Sequence, residues 1–297
     1  MNLWQNYIRP KNLTEAMDAF ATAPRPLAPL AGGTDLLLDL EQGRHLPVQT
    51  LIDVTSIVEL SLIEWRGDAL FIGAAVPVNR IVHDPRVGEH AQALVEACDL
   101  IAGPQVRNVA TLGGNVAHAL PAADGTIALL ALHAEAEIVS AAGARRMPFQ
   151  ELFLGPGKSS IKHGEALIVG FYIPIQTALR DAKSLRASSC FKRIMRPQGV
   201  ALPIINLAVW LERENDSIRE IHIAVGPGAS TPWRATEAEQ QLIGKTFNSE
   251  TFDASLDALL AQVGFRSSAR RASADYRRHI VSGLFRDVLE TAWMRGA

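Results

Sequence analysis

Two glycine doublets, each held in a short polar frame, constrain this chain more than any other feature. The first is Ala31-Gly32-Gly33-Thr34-Asp35, and the second, in a separate part of the chain, is Thr111-Leu112-Gly113-Gly114-Asn115. Glycine reaches positive φ easily and lets a ligand approach the backbone, leaving N–H groups free to donate. One doublet alone is more often an ordinary tight turn. The pair is expected to form two walls of one groove suited to a diphosphate, with the Thr34 and Thr111 hydroxyls as further donors. After Asp35 the apolar run Leu36 to Leu40 opens a helix, whose N-terminus favours anions. After Asn115 the segment Val116 to Gly125 reads as a loop leading into the apolar stretch Thr126 to Leu132.

Other nucleotide signatures are absent. No strand–turn–helix glycine pattern of the dinucleotide-binding type occurs. Gly155-Pro156-Gly157-Lys158-Ser159-Ser160 imitates the end of a P-loop, but Leu152 stands where that motif requires Gly, and Ile161-Lys162-His163-Gly164 replaces its helix. The net charge of −2, from 29 basic and 31 acidic residues, gives no overall field for nucleic acid or an anionic membrane. The basic cluster Arg266, Arg270, Arg271, Arg277, Arg278 and His279 lacks interleaved aromatic platforms beyond Tyr276, so it reads as a solvated face or a protein-docking surface.

Only two cysteines occur, Cys98 and Cys190, far apart, which excludes a disulfide framework and argues against an iron–sulfur cluster or structural zinc held by this chain alone. The eight histidines form no HExxH pair, so no metal site is expected, and no Gly-x-Ser-x-Gly elbow marks a hydrolase. His118 stands out because it lies just after the second doublet. The start of the chain lacks a secretory pattern and no stretch reaches the ~18 apolar residues of a membrane span, so a cytoplasmic protein is expected.

Along the chain, Thr14 to Phe20 reads as a helix capped at Thr14, Leu51 to Val54 and Ala69 to Ala74 as strands, and Ala91 to Ile101 as a helix. Ala136 to Ser140 and Ala166 to Ile173 read as strands. Between Pro174 and about Ser189 the pattern turns polar and irregular, with Gln176, Thr177, Arg180, Asp181, Lys183 and Ser184, which marks a domain boundary. Beyond it, Leu202 to Leu211 suits a buried strand and Ile221, Ile223 and Val225 alternate. Helices come next over Ala235 to Leu242, Phe252 to Val263 and Ala274 to Met294. The last carries a wide apolar stripe that must pack on the sheet of the same domain. A strand pair with helices after it suggests a small α+β domain.

The first doublet, Gly103-Pro104-Gln105-Val106-Arg107-Asn108-Val109-Ala110 running into the second, Pro121-Ala122-Ala123-Asp124, Phe153-Leu154-Gly155-Pro156-Gly157-Lys158, and Arg266 through Arg278 together resemble the FAD-binding medium subunit of the molybdenum hydroxylases. That family takes in the flavin subunits of xanthine dehydrogenases and carbon monoxide dehydrogenase. The resemblance spans nearly the whole chain. It implies an α+β architecture: a vanillyl-alcohol-oxidase (PCMH)-type FAD-binding domain over residues 1–175, made of two α/β subdomains (about 1–57 and 58–175), then a small C-terminal α+β domain over residues 176–297.

The resemblance further implies non-covalent FAD, with its diphosphate cradled by Ala31, Gly32, Gly33, Thr34, Asp35 and Leu36 and by Thr111, Leu112, Gly113, Gly114 and Asn115, and with His118 nearby. Asp124 matches a cofactor-contacting position, where a carboxylate accepts from a ribose or ribityl hydroxyl; as a plain structural residue it would cap the next helix. Lys192 falls where the family places a lysine near the flavin, and Ile168 matches a backbone or apolar contact with the adenine or ring system. Ile101 stands where some relatives carry an aromatic residue, so ring stacking is in doubt there. No catalytic residue is expected in this chain. The implied partners are a small subunit with two [2Fe-2S] clusters and a large molybdopterin subunit, and a dimer of such heterotrimers is compatible. A free-standing flavin oxidoreductase of the same fold and a flavin-free assembly subunit stay open as alternatives. The substrate and the terminal acceptor are not encoded in these motifs.

Overall fold

A computed structural model describes residues 3–161, 164–175, 185–196, 202–269 and 271–296. The sequence readings at Lys162-His163, from Gln176 to Ser184 and at Arg270 lie outside the described residues. The chain opens with β1 (Asn6–Ile8), α1 (Leu13–Thr22), β2 (Leu27–Leu30), α2 (Leu36–Glu41) and β3 (Thr50–Asp53). The strands form a parallel sheet in the order β1-β3-β2. Helix α1 is capped by Asn12, not Thr14: the Asn12 side chain accepts from the Glu15 N–H, which leaves Thr14 inside the first turn. Its Ala16, Ala19 and Phe20 face packs on Ile52 and Val54.

Next come β4 (Ile63–Arg66), β5 (Ala69–Gly73), α3 (Val78–Val82), α4 (Pro85–His90), α5 (Gln92–Asp99), α6 (Pro104–Arg107), α7 (Leu112–Ala117), α8 (Asp124–Ala131), β6 (Glu135–Ser140), β7 (Gly143–Pro148), β8 (Phe153–Gly155), β9 (Lys158–Ser159) and β10 (Ala166–Pro174). A five-stranded antiparallel sheet runs β4-β5-β10-β6-β7, while β8 and β9 form a separate hairpin at the P-loop-like string, turning at Gly157 with φ 69°. Every residue of α8 is buried. The helix lies against α5 and α7 and against strands of the last sheet, so no face of it meets water.

That last sheet is β11 (Leu185–Ile194), β12 (Ile205–Glu214), β13 (Ser217–Gly226) and β14 (Trp233–Arg234), antiparallel in sequence order, and after it come α9 (Thr236–Gln240), α10 (Ser249–Gln262) and α11 (Ala274–Arg295). Two sequence readings change here. The segment read as irregular up to Ser189 is strand from Leu185 onward, because β12 pairs with it residue for residue from Leu185↔Glu214 to Ile194↔Ile205. The run from Leu202 enters the sheet only at Ile205, and Leu202 itself is exposed. The sheet is covered on both faces, and β12 shows why its sequence is apolar throughout. Ile205, Leu207, Val209 and Leu211 pack toward α10 and α11, whereas Ala208 and Trp210 join the core around α5 and α8. The stripe of α11, Val281, Leu284, Phe285, Val288 and Leu289, packs on this sheet as its period requires.

Candidate cofactor groove

The groove lies between the first two sheets. Pro29 and Ala31 at the end of β2, Val54 after β3, Leu60, Ala74 after β5, Gly113, Gly114 and Ala117 of α7, Ser159 and Ile161, and Ala166, Leu167 and Ile168 of β10 line it. Ala31, at the head of the first doublet's frame, the Gly113-Gly114 doublet and Ile168 therefore meet at one place. Of these residues, Pro29, Val54, Leu60, Ala74 and Ser159 carry no sequence signal of their own; four reach the groove at or near strand ends, and Leu60 from a short 3-10 turn at Val58–Ser61.

The first loop is open. Gly33 has φ 71°, a left-handed conformation that favours glycine. The N–H groups of Gly32, Gly33, Thr34 and Asp35 make no hydrogen bond among the described residues. A Cβ on Gly32 would overlap the Val109 carbonyl oxygen, so this loop rests directly on the chain leading into the second doublet.

The second doublet is not an open turn, and the segment after Asn115 is not simply a loop. Leu112–Ala117 is helix α7, capped by Thr111, whose hydroxyl oxygen accepts from Gly114 N–H at 3.1 Å. The N–H of Leu112 bonds the Val76 carbonyl, that of Gly113 the Ala74 carbonyl at 2.8 Å, and that of Asn115 the Thr111 carbonyl. These donors are spent within the protein because the helix start docks on the chain leaving β5. Gly113 is buried, and a Cβ there would stand 2.6 Å from Ala74. Gly114 is exposed, and a Cβ there would meet only Thr111 Oγ1, at 3.1 Å. The Asn115 side chain turns inward and accepts from Thr126 N–H at 3.2 Å, so it caps α8.

His118 joins the two loops. Its Nδ1 lies 3.5 Å from Asp35 Oδ2. The hydrogen bond to His118 holds the Asp35 carboxyl below its ordinary range, and the same bond raises the His118 imidazole. Thr34 and Leu36 sit half-buried on the first loop beside Asp35.

Ile101, Asp124 and Lys192 do not line this groove. Ile101 and Asp124 lie by the seam of α5, α8 and β11, and Lys192 projects from the other face of β11 toward α11. Asp124 does not cap α8, since Ala123 occupies the cap position. Its buried carboxylate pairs with Arg193 and accepts from Asn206 Nδ2 at 2.6 Å, while Asn206 also donates to the Ala122 carbonyl. Burial pushes the Asp124 carboxyl up against the opposing pull of Arg193 and Asn206. Lys192 Nζ donates to Asp287 Oδ1 at 2.6 Å and Thr291 Oγ1 at 3.0 Å on α11. Ile101 packs on the central core, and its carbonyl accepts from Arg107. Glu96 of α5 closes the seam: it accepts from Phe191 N–H at 2.7 Å and from Arg295 at 2.5 Å. Cys98 and Cys190 are buried in different cores, and burial pushes the Cys190 thiol up to about 12. Among the described residues no group of three or more His, Cys, Asp or Glu side chains is placed to hold a metal ion, and no helix is long and apolar enough to cross a membrane.

A small-residue groove stands beside a loop with unspent N–H donors, and comparison with known proteins shows the family. Residues 3–176 match the family described as the FAD binding domain in molybdopterin dehydrogenase, and residues 189–292 match the CO dehydrogenase flavoprotein C-terminal domain. The chain belongs to this FAD-binding family. It is 34% identical to the xanthine dehydrogenase FAD-binding subunit of Escherichia coli over 97% of this chain and 95% of that one. It is 29% identical to the carbon monoxide dehydrogenase medium chain of Hydrogenophaga pseudoflava, covering 98% of each. The solved carbon monoxide dehydrogenase from that organism superposes with a TM-score of 0.89 over 99% of this chain and 98% of its own, at 29% identity. The α+β fold expected from the resemblance, an FAD-binding domain and then a C-terminal domain, is the observed one. The chain is the FAD subunit type of a molybdenum-dependent oxidoreductase. The groove fits that cofactor, since the side of Gly114 that faces it is a cradle a side chain would fill.

Proposed function

We propose that this chain is the FAD-carrying electron-transfer subunit of a heteromeric molybdenum hydroxylase. In this reading it takes electrons from [2Fe-2S] clusters of a small partner subunit and passes them to an external acceptor, while a large molybdopterin subunit oxidises substrate. When bound, FAD supplies a centre that exchanges electrons singly or in pairs. The chain's own residues bind and orient it. The N–H groups of Gly32 to Asp35 hold the diphosphate, Gly114 gives it room, and Ile168 packs on the adenine end. The Asp35–His118 pair locks the two loops around it, and Leu36, Thr111, Leu112, Gly113 and Asn115 hold those loops in place. Ile101, Asp124 and Lys192, which lie outside the groove, would hold the ring end, as the family resemblance implies.

The carrying observation is that Ala31, which leads into the open Gly32–Asp35 loop with its free donors, and the Gly113-Gly114 wall line one groove. The relatives' names, medium chain and FAD-binding subunit, support the subunit role. The division into residues 1–175, with subdomains about 1–57 and 58–175, and residues 176–297 is supported by the separate sheets. The test compares the purified chain alone with the complex co-expressed with its two partner subunits. FAD should bind in both and be bleached by an oxidisable substrate only in the complex. A lone chain that turns over an organic substrate would refute the reading.

A further inference from the structure

At the start of α11 a group of arginines comes together with no carboxylate paired to it among the described residues. Arg277 is 2% exposed; its Nε donates to the Ile204 carbonyl at 2.9 Å and its Nη1 to the Arg266 carbonyl. Arg196, at the end of β11, donates to the Arg271 carbonyl at 3.2 Å. Arg196, Arg266, Arg271 and Arg277 thus share one corner, in which the Arg196 and Arg277 guanidinia are held by backbone oxygens, two of them the carbonyls of Arg266 and Arg271. None of them forms an ion pair among the described residues, and Asp275, the acid in the first turn of α11, is exposed and paired with none of them. Burial, with Arg271 and Arg266 alongside, lowers the Arg277 pKa.

Such a cluster is costly on its own. A buried guanidinium without a carboxylate or phosphate loses hydration that carbonyl oxygens return only in part. The position adds to the cost, because cations at a helix N-terminus oppose the helix dipole. An anion brought to this corner recovers both terms.

The surroundings favour a protein as its source over a small free anion. Met195 is 37% exposed, Leu202 60% and Tyr276 46%, and each stands within two residues of Arg196, Ile204 or Arg277. Exposed aromatic, Met and Arg side chains together are the composition of a protein interface core. The corner is also open, adjoining a broad trough along Ile194, His279, Ile280 and Gly283 rather than an enclosed pocket. We propose that the Arg196–Arg266–Arg271 corner, backed by Arg277, is a docking surface for an acidic segment of a partner subunit, with Met195, Leu202 and Tyr276 as its apolar contacts. This rests on the subunit reading above and names the face that reading needs.

The test co-expresses the full chain with the two partner subunits and compares wild type, Arg266→Glu/Arg271→Glu and Arg266→Lys/Arg271→Lys by size-exclusion at low and moderate salt. Arg277 stays in place because it also braces α11. The glutamate variant should keep its FAD and lose at least about tenfold in affinity for the partners, while the lysine variant keeps most of it. Undiminished assembly of the glutamate variant overturns the docking proposal and leaves the subunit reading standing. A wild-type chain that joins no partner fails the subunit reading itself. Pyrophosphate binding to the chain that both arginines govern, with assembly untouched, would assign the corner to a small anion instead and likewise overturn the proposal.

Discussion

At Gly32-Gly33 the backbone is open, and the N–H groups from Gly32 to Asp35 bond nothing among the described residues, whereas at Gly113-Gly114 each N–H from Leu112 to Asn115 is already taken by the protein. The same dipeptide thus serves two ends. In the first loop, glycine permits a left-handed turn that presents donors. In the second, it lets a helix start press onto Ala74 at one residue and leaves a bare wall at the next. A diphosphate groove needs both a surface that binds and a surface that stays out of the way. Glycine does either, depending on what its N–H groups meet.

The comparison can be broken from behind, in front and between. Behind the second doublet, Asp124→Ala should have the largest effect, because it strands the buried Arg193 guanidinium; a loss of about 3–5 kcal/mol in urea unfolding is expected. Gly113→Val should come next at about 3 kcal/mol, since its Cβ would press on Ala74 inside the core. If Gly113→Val unfolded like wild type, the helix would not be docked as described. Between the loops the smallest effect is expected. His118→Gln removes the bridge to Asp35, and with side chains 32% and 62% exposed it should cost about 0.5 kcal/mol or less. The two shifts set the sign. The raised imidazole contributes fully below its ordinary 6.5 and loses that as pH rises through its folded value, while the lowered carboxyl contributes above its ordinary 3.8 and loses that as pH falls through its own. The cost of His118→Gln should therefore appear at about pH 5.5 and vanish at about pH 9.

Much of this was legible in the sequence, for identifiable reasons. An unbroken apolar run placed β10, which is buried on both faces, and helical spacing placed α11, which buries a regular stripe. The doublets announced the groove. What the sequence could not give was the partner of each polar group. Asp124 looks like a helix cap and instead faces Arg193 and Asn206, which lie far along the chain. Asn115 looks like a groove donor and caps α8. The polar character of the first half of β11 hid a strand, because Ser189 and Arg186 sit on an edge strand tied by side chains to α5 and to its own backbone. Such pairings depend on which surfaces meet, and local pattern does not record that.

In the proposed function both loops face one cofactor, the second by leaving space. The direct measurement is FAD titration into apo-protein carrying Gly114→Leu, beside wild type, with thermal unfolding of each. Leucine is well accepted inside a helix, and the position opens onto the groove, so the midpoint of unfolding should hold or rise while FAD affinity falls at least about a hundredfold. Unchanged FAD affinity in a folded Gly114→Leu protein would contradict the account.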